Sequence, residues 1–101
     1  MGGGRLPSKI EGTVVEVRES GNLVTDISEE RLRGVPRDER TSVTCDEHVT
    51  SGIFPADHQE PPMTFLAFMG ESGTLELAIV GDSAKMMLGI RKGEKVVVAW
   101  S

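Results

Sequence analysis

At 101 residues the chain has room for one hydrophobic core and no second one. Its net charge of −5 argues against a nucleic-acid backbone as partner, since phosphate recognition needs clustered Lys and Arg, and its 38% hydrophobic content points to a small interior. No apolar run approaches the roughly 18 residues of a membrane span. The start MGGGRLPSK has no apolar leader core, and Leu6 stands where a myristoylation signal needs Ser or Thr, so the expectation is a cytoplasmic protein. A single cysteine, Cys45, precludes an internal disulfide and fits a reducing compartment.

Residues 1–9 are Gly-rich and polar and read as a mobile tail ahead of one domain over 10–101. Ile10–Val17 reads as the first strand, with Ile10, Val15 and Val17 on one side. Glu19-Ser20-Gly21-Asn22 forms a turn into a second strand, Leu23–Ile27. Ser28 as a cap, Glu29 and Glu30 at the positive end, and Gly34 as a stop predict a short helix. After a charged loop, Val35–Arg40, strands are expected at Thr41–Cys45 and within His48–Phe54, divided by Asp46-Glu47. Consecutive prolines make Pro55–Pro62 a loop, because they cannot donate to a ladder.

The stretch Met63–Val98 organises the rest. Two apolar runs, Phe65–Met69 and Leu75–Val80, flank Gly70-Glu71-Ser72-Gly73 and predict a β-hairpin. Ser83 offers a cap for a short helix over Ala84–Leu88, Gly89 closes it, and Lys95–Trp100 is the last strand. The sum is an all-β fold: a small antiparallel β-barrel of about six or seven short strands, with one or two short helices.

Three separated blocks carry a resemblance. They are Gly21-Asn22-Leu23-Val24-Thr25-Asp26-Ile27, Ser72-Gly73-Thr74-Leu75-Glu76-Leu77-Ala78, and Gly81-Asp82-Ser83-Ala84 followed by Leu88-Gly89-Ile90-Arg91-Lys92-Gly93-Glu94-Lys95-Val96. In this order they resemble the C-terminal domain of the S-adenosyl-L-methionine hydroxide adenosyltransferases, a family that also contains fluorinating and chlorinating enzymes. The resemblance implies an antiparallel β-barrel. It also implies a trimer in which ligand lies between the larger N-terminal α/β domain of one subunit and the barrel of its neighbour. The larger domain carries the catalytic groups and has no counterpart in these blocks, so the expectation is a stand-alone, non-enzymatic domain.

By the same resemblance Asn22 reads the adenine edge with its amide, which offers a donor and an acceptor. Gly81 stands where a backbone contact to adenine is expected, and Glu71-Ser72 where the methionine carboxylate is held. The side chains at these places are altered. Ser20 replaces a preferred aromatic, Glu71 would repel a carboxylate, and Arg18 takes the place of an acidic residue and would repel an ammonium. Gly21-Asn22 also has a simpler reading, a turn that tolerates positive φ. The expected partners are a second copy of the chain or another protein; the alternatives are a module that binds an adenine nucleoside or S-adenosyl-L-methionine, or an accessory subunit of a separately encoded enzyme. No cofactor is called for.

Cys45, Asp46, Glu47, His48, Asp57 and His58 cluster in sequence, and Cys45 with His48 has a zinc-like spacing. A structural zinc wants four ligands, and three strong N or S donors are too few, so Cys45 reads as a buried core residue. A Cys45–His48 nucleophile pair would need Asp46-Glu47 to form a turn. Phe65, Phe68, Met69, Met86 and Met87 read as core or interface.

Overall fold

A computed structural model describes residues 8–101. Of the expected tail, residues 1–7 lie outside the described residues, and Lys9 already belongs to a strand. The elements are β1 (Lys9–Val17), β2 (Leu23–Ser28), β3 (Thr41–Cys45), β4 (His48–Ser51), β5 (Phe65–Met69), β6 (Thr74–Ile79), α1 (Ala84–Leu88) and β7 (Lys95–Trp100). The strands form one sheet in the order β4-β3-β7-β1-β2-β6-β5, with every named pairing antiparallel. The sheet curls into a nearly closed barrel. Across the seam the Thr50 hydroxyl donates to the Phe65 carbonyl at 2.9 Å, and Phe54 and Phe68 form a parallel bridge.

Alternation places the core. Leu23, Thr25 and Ile27 of β2, Val43 and Cys45 of β3, Leu75, Leu77 and Ile79 of β6, and Val96 and Val98 of β7 are buried at every second position. Side chains of one parity share one face of a strand, so these residues meet inside the barrel. Leu32, Val35 and Ile90 plug its ends from loops, and all three are buried.

Three expectations need correction. In β1 it is Val14 that is buried, while Val15 is 42% exposed. Val14 shares its parity with Ile10, so plain alternation turns it inward and Val15 outward, and the register shift between Val14 and Glu16 then returns Val17 to the inner side. The segment after Ser28 is a run of turns and not a helix: Leu32 N–H donates to Glu29 at 3.0 Å, Arg33 to Glu30 at 3.2 Å and Val35 to Leu32 at 3.0 Å. Between Ser28 and Gly34 only Leu32 is buried, which is too little apolar surface to hold a helical turn that short. Met86 and Met87 are not core, being 83% and 50% exposed. In the five-residue α1 only Ala84 is fully buried, with Leu88 half-buried against the core.

The expected strand His48–Phe54 divides in two. β4 stops at Ser51, Gly52 adopts φ 82°, and Ile53-Phe54 crosses to β5, where Phe54 N–H donates to Ala67 at 2.9 Å. That crossing positions the functional surface. From Phe54 the loop 55–62 arches over the outer face of the β5–β6 hairpin and is pinned again where Met63 N–H donates to Val80 at 2.8 Å.

Candidate functional site

Beneath that arch lies a groove of about 550 Å³ lined by Ser20, Asn22, Ala56, His58, Phe68, Ala78, Ile79, Val80, Gly81, Asp82 and Ser83. An adjoining cavity of about 260 Å³ is lined by Arg18, Asn22, Ala56, Phe68, Glu71 and Glu76. Asn22, Ala56 and Phe68 border both, so the two are one groove with a wide end and a polar end.

The β1–β2 turn sets Asn22. Gly21 N–H donates to Arg18 at 2.8 Å and Arg18 N–H to Asn22 at 2.9 Å, which fixes the backbone around the turn. Gly21 is buried with φ 92°, and a Cβ there would run into the Ser83 side chain and backbone. Its carbonyl accepts from Lys85 N–H at 3.0 Å. Gly21 therefore joins the turn to the start of α1, where Ser83 accepts from Met86 N–H at 3.2 Å as the cap. The Asn22 carboxamide makes no hydrogen bond to any described residue, so its donor and its acceptor are both free at the groove.

The expected site residues sort themselves between the two ends. Asn22 and Gly81 share the wide end, although they come from opposite halves of the chain. Glu71 lies at the polar end, with Asn22 on its border. Gly21 packs beneath Ser83 and supports the groove without lining it. Ser72 lies behind Glu71, its hydroxyl 3.0 Å from Thr74 Oγ1 and donating to Glu76 Oε2 at 3.5 Å.

Sequence reasoning missed three lining residues. His58 stands edge-on to Phe54 and Phe68, with ring centroids 6.2 and 6.0 Å apart. Its Nδ1 accepts from Glu60 N–H at 3.3 Å, so the neutral ring carries its proton on Nε2. Phe68 projects from the outer face of β5, opposite Glu76 of β6. Glu76 is 3% exposed, and its Oε2 takes the Arg18 guanidinium at 3.4 Å. Two-residue alternation identifies Phe68 and Glu76 as outward-facing, but only the arching loop shows that this outer face is covered.

Arg18 therefore differs from its expected role. Its guanidinium pairs with Glu76 and does not stand as a free cation against a ligand amine. Gly70 makes this possible, because a Cβ there would occupy the place of the Glu76 carboxylate.

The cysteine cluster does other work. Asp46-Glu47 does form the turn of the β3–β4 hairpin, with Asp46 at φ 58° and Cys45 directly opposite His48. Burial pushes the Cys45 thiol up to about 11, helped by the negative charge of Glu94 and Asp46, so it is protonated at neutral pH and a poor nucleophile or ligand. His48 Nε2 lies 3.1 Å from the Leu88 carbonyl and ties the hairpin to α1. Among the described residues no three His, Cys, Asp or Glu side chains are grouped to hold a metal ion. No helix among them is long and apolar enough to cross a membrane.

The family profile of the SAM hydroxide adenosyltransferase C-terminal domain matches residues 12–97. The chain belongs to that family. Solved structures share the fold: an uncharacterized conserved protein from Thermotoga maritima superposes with a TM-score of 0.72 at 21% identity, over 94% of this chain and 37% of that one. A conserved hypothetical protein from Thermus thermophilus gives 0.67 at 22% identity, over 87% of this chain and 34% of the other. The chain thus spans about a third of the length of these two proteins. No curated protein matches it. Within the SAM hydroxide adenosyltransferase C-terminal fold, the groove under loop 55–62 brings the free Asn22 carboxamide beside the Phe68 and His58 rings.

Proposed function

We propose that this domain is non-catalytic and forms one wall of an adenine-nucleoside site, which a second protein surface completes. The observation that carries this reading is the convergence of Asn22 and Gly81 on one groove, with the Asn22 carboxamide unengaged and the Phe68 and His58 rings beside it. A purine offers a flat apolar face and an edge of alternating donors and acceptors. Aromatic side chains suit the first and a free carboxamide the second.

Solvent exposure supports the non-catalytic part of this reading. Displacement at a sulfonium carbon needs a dry pocket around nucleophile and leaving group. Ser20, Ala56, Glu71, Gly81 and Asp82 at the groove rim are exposed, so water reaches the site unless another surface covers it. Met86 and Met87, exposed on α1 next to the Ser83 cap, favour such a protein contact.

Titration calorimetry with adenosine tests the reading. Saturable heats that vanish in Asn22→Ala are expected, and flat heats at millimolar adenosine would overturn it. Sedimentation separately tests the covering surface: the expected mass is a multiple of 10.9 kDa, or rises with a co-purified partner.

A further inference from the structure

We infer that the open edge of β1 at Val15–Val17 takes an extended acidic segment of a partner protein as an added strand. This surface shares no lining residue with the nucleoside groove and stands independently of it. β7 pairs with β1 only as far as Thr13, opposite Lys95, and Val14 then bonds the backbone of Gly93 and Glu94. Beyond that point Val15–Val17 keep β2 on one side and have no strand on the other among the described residues. Arg18 N–H donates to Asn22 on the β2 side, so alternation turns the N–H and C=O of Val17 to the open edge. No loop or turn among the described residues takes them up.

The chain from Lys85 to Gly93 spans this edge without closing it. Lys85 N–H donates to the Gly21 carbonyl at 3.0 Å at one end, and Gly93 N–H to the Val14 carbonyl at 2.7 Å at the other. Between these anchors lies a groove of about 520 Å³ lined by Val15, Glu16, Val17, Lys85, Arg91 and Lys92.

Charge decides the occupant. Lys85, Arg91 and Lys92 are exposed and have no ion pair among the described residues, so three cations face the single carboxylate of Glu16. The whole chain carries −5, so an anionic membrane or nucleic acid meets repulsion over its full contact. A single strand feels mainly the groove, because salt confines the field to about 10 Å. Main-chain hydrogen bonds to Val17 hold such a segment, its carboxylates reach the three cations, and its apolar side chains cover Val15, which is 42% exposed. The same edge of a second copy would bring its own Lys85, Arg91 and Lys92, and like charge opposes that pairing.

The test titrates a blocked seven-residue peptide of alternating Asp and Val into the whole chain at low ionic strength, followed by amide-resolved NMR. Saturable shifts are expected at Val15, Glu16, Val17, Arg91 and Lys92, with new protection of the Val17 amide from hydrogen exchange. Arg91→Glu combined with Lys92→Glu, both exposed, should weaken binding about tenfold or more, as should Asn in place of Asp in the peptide. N-methylation of every second peptide amide should abolish binding in one phase and spare it in the other, since an added strand turns alternate N–H groups to β1. No shifts at millimolar peptide, equal binding of both N-methylated peptides, or the same shifts with free aspartate overturns the proposal. So does a sedimenting oligomer that the double glutamate change converts to a monomer, since the occupant is then a second copy.

Discussion

Arg18 and Glu76, separated by 58 positions in the chain, meet at 3.4 Å at the polar end of the groove and join the β1–β2 turn to the middle of β6. Glu76 is almost wholly buried, and this contact together with Ser72 supplies the partners of its Oε2. Breaking a buried pair from one side usually costs about 3–5 kcal/mol, but the Arg18 side chain is 39% exposed and solvent screens the interaction. Arg18→Gln should therefore lower stability by about 1–2 kcal/mol in chemical denaturation, less than a fully buried pair would lose.

Gly21→Ala should do more damage. The new methyl group would enter the Ser83 side chain and would also have to hold φ at 92°. Strain at positive φ and a steric conflict together predict a loss of about 2–4 kcal/mol. A melting temperature unchanged within about two degrees would show that the turn and α1 are not locked together as described.

Much of the barrel can be read directly from residue order. The alternation in Leu23–Ile27, Thr41–Cys45 and Lys95–Trp100 gives both the strands and their inner faces. Ser83 and Gly89 delimit α1 by capping chemistry, and the structure agrees residue for residue. What resists reading is non-local. The bulge at Val14–Glu16 brings Val17 to the same side as Ile10 and Val14 through pairing with β2, and no residue in β1 announces it. The polar end of the groove depends on a contact between the β1–β2 turn and β6, and its roof on where loop 55–62 lands. Asn22, Gly81 and Glu71 were legible from the family resemblance, whereas His58, Phe68 and Glu76 became site residues only once the loop had covered the outer face of β5–β6.

Cys45 sets a pH dependence. Its thiol pKa is raised from an ordinary 9.0 to about 11 by burial, so the folded state holds a proton that the unfolded chain releases between those values. The associated stability is intact below pH 9 and falls as pH rises towards 11, by about 2–3 kcal/mol in all. Cys45→Ala should flatten the stability profile over that window. The native thiol should also resist a disulfide reagent at pH 8 and react once urea unfolds the protein.

His58 offers a direct probe of the groove. Truncation to alanine removes the ring that stands against Phe54 and Phe68, while the backbone anchors of the loop at Phe54 and Met63 remain. Adenosine affinity should fall by about 1–2 kcal/mol in His58→Ala, with a smaller change in folding stability. A variant that binds as the parent does would remove the ring from the account of base recognition.

The proposed adenine site lies against Asn22 under the 55–62 arch. Amide-resolved NMR titration with adenosine addresses it most directly. Shift changes should saturate and centre on Asn22, His58, Phe68 and Gly81, and should be lost in Asn22→Ala while the rest of the spectrum stays folded. Saturable shifts centred elsewhere on the barrel, or the same shifts in the alanine variant, would contradict it.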